Sequence, residues 1–130
     1  MRGKIFHEYM IEVLKETSEK RGFQARCQVP SKKGKKSGYF DLFVSNSDNS
    51  RFLIIEVEMR KDRVLNDIQK QKDFGKSAIL WIVAPTRKVA TEIKNHLNGH
   101  GIEENETLFI LPFSDAIKRV LNKIPFFISP

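Results

Sequence analysis

Residues 51–59, RFLIIEVEM, place two acidic side chains inside a run that otherwise has the composition of a buried strand. Phe52, Leu53, Ile54, Ile55 and Val57 are residue types that strands favour. Side chains alternate along a strand, so Glu56, Glu58 and Arg60 fall on one face with Ile54. A carboxylate buried there is costly unless it is paired or bound to a cation, and two on one face also repel each other. Any fold of this chain therefore has to bring positive charge to that face.

The preceding apolar segment, GYFDLFV (38–44), adds Asp41 between Phe40 and Leu42. SNSDNS (45–50) has turn composition, so the two segments read as a β-hairpin. With the turn centred between Ser47 and Asp48, Asp41 lies opposite Ile54 and diagonal to Glu56. Diagonal neighbours on one face are about 7–8 Å apart. Two carboxylates at that spacing can converge on one divalent ion, and hard oxygen donors without Cys or His suit magnesium or manganese. The competing reading is a set of ordinary salt bridges at a sheet edge, which for Glu58 alone is the simpler account.

The rest of the chain supplies a scaffold for that hairpin. Ile5, Phe6, Tyr9, Met10, Val13 and Leu14 recur at helical spacing over residues 3–20, and Arg21-Gly22 ends the helix. Residues 23–29 read as a strand. Residues 62–76 read as a helix with Asp62 as N-cap. AILWIVA (78–84) has the continuous apolar character of a strand covered on both faces. A helix over 86–97, a strand over 107–111 and a helix from Ser114 to about Lys123 follow. The order is α-β-β-β-α-β-α-β-α, which implies a mixed sheet with helices on both faces in one domain, residues 1–130. Most of the ten Phe residues sit in short apolar runs and read as core. The tail IPFFISP (124–130) is expected to pack on its own domain, with a homodimer seam as the other possibility.

No apolar stretch spans a bilayer, the N-terminus lacks signal-peptide character, and the one cysteine, Cys27, has no internal partner. A cytoplasmic protein is the expectation. The net charge of +7 favours a polyanion as partner. Four lysines, Lys32, Lys33, Lys35 and Lys36, lie in the loop PSKKGKKSG just before Asp41, where they could meet backbone phosphates. No glycine-rich phosphate loop follows any strand, which argues against a nucleotide-binding domain. His7, His96 and His100 are scattered and read as surface or cap residues.

Asp41, followed fifteen residues later by I-I-Glu56-V-Glu58, resembles the signature of the PD-(D/E)xK, restriction-endonuclease-like nucleases. The resemblance covers roughly residues 3–84. It implies an αβββαβ core, here with a C-terminal α-β-α extension. It also implies an acidic pair carried by Asp41 and Glu56, and a first-helix glutamate near the metal, matched best by Glu8 and then by Glu12. The signature lysine falls on Glu58, so this chain is a variant in which Glu58 would be a metal ligand or general base. Arg60 or Lys61 could stand in for the missing charge. Members often place a Gln or Lys on the next helix. The stripe Val64, Leu65 and Ile68 would continue to Gln71, Lys72 and Gly75, so Gln71 and Lys72 are the candidates.

The implied activity is magnesium-dependent endonucleolytic hydrolysis of DNA, with manganese as a substitute, carried out alone, as a homodimer or with a larger partner subunit. The alternative is a catalytically inactive nuclease-like fold that binds DNA or serves in assembly.

Overall fold

The computed structural model describes residues 2–31 and 38–122. Lys32, Lys33, Lys35, Lys36 and the tail at 124–130 lie outside the described residues. Helix α1 (Arg2–Lys20) leads into a meander of β1 (Gln24–Pro30), β2 (Tyr39–Ser45) and β3 (Phe52–Val57). A 3-10 turn at Lys61–Arg63 opens α2 (Val64–Asp73); β4 (Ile79–Ala84), α3 (Arg87–Gly99), β5 (Leu108–Pro112) and α4 (Phe113–Leu121) follow. The sheet order is β1-β2-β3-β4-β5. The first three strands pair antiparallel, while β4 runs parallel to both β3 and β5. This is the mixed α/β architecture implied by the sequence pattern, an αβββαβ core with an α-β-α extension.

Two apolar clusters sandwich the sheet. Met10, Ile11 and Leu14 of α1 and Ala116 and Val120 of α4 cover Leu42, Val44, Leu53, Ile55 and Val83. On the other face, Val64 and Ile68 of α2 and Ala90, Ile93 and Leu97 of α3 cover Phe43, Ile54, Leu80 and Ile82. Strands β3 and β4 are almost wholly buried because both their faces are covered. The phenylalanines divide unequally. Phe40 and Phe43 are buried, with the ring of Phe74 edge-on to both, whereas Phe6 is exposed.

Three details depart from the sequence reading. The hairpin register places Leu42 opposite Ile55 and Ser45 opposite Phe52, so its centre falls between Asp48 and Asn49. Asn46 causes this: its Oδ1 accepts the N–H groups of Ser50 and Arg51, and Asn49 takes a left-handed φ of 57°. A two-residue shift leaves the faces unchanged but carries Asp41 from opposite Ile54 to opposite Glu56.

The helix stripes are also rotated. On α1 the covered positions are Met10, Ile11, Leu14 and Ser18, and Ile5, Phe6 and Tyr9 point outward. On α2 they are Val64, Asp67, Ile68 and Lys70, with Leu65 exposed. Caps differ as well. Asp62 lies within the 3-10 turn, and Pro112, not Ser114, occupies the N-cap of α4. Thr86 does cap α3, its hydroxyl accepting the Val89 N–H.

The rotated stripe on α2 gives a direct test. Ile68→Ala, on the buried stripe, should lower urea-unfolding stability by about 2–5 kcal/mol. Leu65→Ala should change it by less than about 1 kcal/mol, because that side chain is not in the core.

Candidate functional site

The hairpin ladder is replaced by side chains at its open end. The Asp41 N–H donates to Glu56 Oε1 at 2.9 Å, and the Val57 N–H donates to Asp41 Oδ2 at 2.9 Å. Each carboxylate thus takes the place of a strand carbonyl. The face alternation also slips here, since Phe40 packs with Phe43 instead of with Leu42. Gln28, which would face Asp41 from β1, holds a left-handed φ of 57°. Asp41 and Glu56 are thereby held together where β2 and β3 part.

Glu56 is the more buried of the two, with 2% of its side chain exposed. Burial and the Asp41 charge push its carboxyl up to about 7, against the opposing pull of Lys70. Lys70, from the second turn of α2, places its ammonium against Glu56 Oε2 with 11% of its side chain exposed. The contact is a buried ion pair. Lys70 Nζ also donates to the Tyr39 carbonyl at 2.9 Å and lies 3.8 Å from Asp67 Oδ1. Burial alone would lower the Lys70 pKa, but the surrounding acidic groups, Glu56 foremost, together outweigh it and the net shift is upward. The ammonium stays charged. Gly38 lies beside this side chain with a φ of +117°, which favours glycine, and a Cβ there would be in ordinary contact with Lys70 Cδ at 3.5 Å.

Two further groups join the site. His7 of α1 places Nε2 3.3 Å from Asp41 Oδ2. The hydrogen bond to Asp41 raises the imidazole pKa against partial desolvation. Stability from this contact is therefore complete below about pH 6.5 and fades as pH rises through the shifted value. Asp67 of α2 is buried beside Glu58, and its Oδ2 has no hydrogen-bond donor. Burial, the contact with Glu58 and the neighbouring carboxylates push it up to about 11. A proton held by Asp67 makes that acid–acid contact a hydrogen bond.

The other sequence candidates are placed as follows. Glu58 follows the end of β3, half-buried, with its N–H donated to the Val83 carbonyl at 2.9 Å. Glu8 and Glu12 are exposed, and the α1 side chain that reaches the site is His7. Arg60 is exposed and pairs with Asp62 at 3.8 Å, and Lys61 is exposed in the 3-10 turn. Gln71 ties α2 to the sheet instead, donating to the Ala78 carbonyl at 2.8 Å and the Thr107 carbonyl at 2.9 Å. Lys72 is exposed beside a separate cleft lined by Gly75, Lys76 and Thr107.

Three residues were missed by the sequence reading. His7 belongs to the set 7, 10, 11, 14 and 18, and Asp67 and Lys70 to the set 64, 67, 68 and 70. Both sets keep helical spacing, but each puts polar groups on the buried stripe, so the more apolar sets looked better.

The donor chemistry fits a hard divalent ion. Asp41 and Glu56 are hydrogen-bonded neighbours with hard oxygen donors, Glu56 Oε2 faces the Lys70 ammonium, and Asp67 Oδ2 is a buried oxygen without a hydrogen-bond partner among the described residues. Among the described residues, no three Asp, Glu, His or Cys side chains are already grouped as a metal cage. No helix among them is long and apolar enough to cross a membrane.

No protein-family model and no curated protein sequence matches the chain. Among solved structures it is similar to a chain of the EndoMS-dsDNA2 complex, with a TM-score of 0.42 and 18% sequence identity. The likeness covers 78% of this chain and 42% of that one, so this chain spans less than half its neighbour's length.

The raised Asp67 pKa has a measurable consequence. Between the unfolded carboxyl value near 4 and the folded value, the native state binds the extra proton, so stability falls as pH rises. Asp67→Asn removes that titration and keeps a donor toward Glu58. Its melting temperature should exceed wild type by several degrees at pH 8 and by little at pH 5. Equal gains at both pH values would contradict the assignment.

Proposed function

We propose that this chain is a magnesium-dependent endonuclease acting on DNA, with Asp41 and Glu56 as its acidic pair and Lys70 as its positive group. The observation that carries the reading is the crossed Asp41–Glu56 pair at the parting of β2 and β3, with a buried ammonium against it. The chain has an acid at the strand position where the nuclease signature has lysine. Lys70 supplies the missing charge from α2, from a place where burial and three oxygen partners fix it. Arg60 and Lys61, exposed on the turn after β3, are left for phosphate contact.

Asp41 and Glu56, with Glu58 as third donor, would hold magnesium or manganese. When bound, the ion supplies Lewis acidity for phosphodiester hydrolysis. The chain's own groups do the rest. His7 orients Asp41 through its Nε2 contact. Asp67, carrying its proton, fixes Glu58 and leaves Glu58 able to accept a proton from water. Lys70 holds positive charge where negative charge builds on the phosphate.

One observation favours a second reading, a nuclease-like DNA-binding or assembly module without turnover. Asp41 Oδ2 and Glu56 Oε1 are already committed to backbone N–H groups, and Glu56 Oε2 is paired with Lys70. Carboxylates used in this way act as structural pins.

A cleavage assay on labelled duplex, single-stranded, flap and junction DNA separates the two readings. Under the nuclease reading, cutting requires magnesium or manganese and stops in EDTA. It disappears in Asp41→Ala and Glu56→Ala. In Lys70→Gln it slows by about 10²-fold or more under single-turnover conditions, with DNA affinity little changed. Metal-independent binding without cutting, unaltered in all three variants, would establish the binding module instead.

A further inference from the structure

Helix α1 carries a feature that the carboxylate site does not use. Phe6 and Tyr9, three residues apart, lie on one flank of the helix with ring centroids 6.3 Å apart and planes 15° apart. They remain 40% and 57% exposed, and Ile5 beside them is more exposed still. Tyr9 also leans on Phe113 of α4 at 6.5 Å, which fixes its ring. A single exposed aromatic needs no explanation, but two near-parallel rings with an isoleucine make a contiguous apolar patch.

The patch and the candidate site share helix α1. Phe6 directly precedes His7, which touches Asp41 and walls a cleft of about 160 Å³ whose other walls include Glu58, Arg60 and Arg63. Arg60 and Arg63 are exposed and bring positive charge to that cleft, where Asp62 pairs with Arg60, and the exposed Lys61 lies next to them in the chain. A polyanion crossing it meets cations along the cleft and flat apolar surface at α1.

We propose that Phe6 and Tyr9 form a stacking platform for an unpaired base of the DNA whose backbone lies at the Asp41–Glu56 pair. The inference rests on the nuclease reading above and narrows its substrate to DNA with unstacked bases, such as a single strand, a flap or a bulge. A base inside intact duplex has both faces covered by its neighbours and cannot lie on an external ring. Aromatic platforms beside basic grooves hold single strands by this stacking, largely without regard to sequence. A second copy of the chain would also cover apolar surface, but it would bring together two proteins each carrying +7.

The test uses the full chain in EDTA, so that binding is read without cutting. Two duplexes are compared, differing only in whether a 2-aminopurine is paired or left unpaired in a bulge. The unpaired probe should bind about tenfold more tightly, with its fluorescence quenched by stacking. Phe6→Ala and Tyr9→Ala should each remove most of that preference, and Tyr9→Phe should retain it. Both side chains are exposed, so the variants should melt as wild type does.

Equal affinity for the two probes, or a preference that survives the double alanine variant, would overturn the platform. A double variant that loses a dimer in light scattering while keeping the preference would assign the patch to self-association. If magnesium-dependent cutting persists beside equal affinities, the nuclease reading stands and the platform alone fails. If wild type binds neither probe, both fail.

Discussion

A carboxylate as buried as Glu56 has to meet positive charge inside the fold, and Lys70 is what meets it. That pairing sets the rest of the site. It draws α2 against the ends of β2 and β3, and it ties the Tyr39 backbone to the helix through the same ammonium. It also leaves Glu56 Oε1 free to accept the Asp41 N–H, which brings the second carboxylate alongside the first. Removing one partner of such a pair strands a buried charge at a cost of about 3–5 kcal/mol. The site and the stability of this end of the sheet therefore rest on one contact.

The acidic cluster is stabilised by dividing its protons and partners unequally. Asp41 has a histidine and a backbone N–H, Glu56 has a lysine, and Asp67 keeps a proton beside Glu58. Like charges at this density could not all remain ionised without such partners. The same division explains why stability should decline as pH rises above about 4, where the unfolded chain releases the proton that native Asp67 keeps.

The element order, the mixed sheet and the pair Asp41–Glu56 were legible from strand alternation and from the cost of acid in an apolar run. Register was legible only to within two residues, because it turned on which Asx side chain captured the turn N–H groups. Asn46 took those of Ser50 and Arg51, with Asp48 sharing that of Ser50, and no composition rule singles out Asn46 from Asn49 or Asp48. The helix-borne members of the site were hidden for a different reason. Apolar periodicity selects the most hydrophobic stripe, and on both α1 and α2 the stripe facing the sheet is the one carrying polar residues. The search for a buried cation partner to Glu56 was correct in principle, but it looked along the strand to Arg60. The helix packed across the sheet face supplies it.

A double-mutant cycle on Lys70 and Glu56 tests this account most directly, with unfolding free energies measured in urea at pH 7. Lys70→Met and Glu56→Gln should each destabilise strongly, and the double variant should cost well under the sum, because neither buried group is then left alone. Additive losses would mean that the two side chains do not depend on each other, and the site would lose the contact on which it is built.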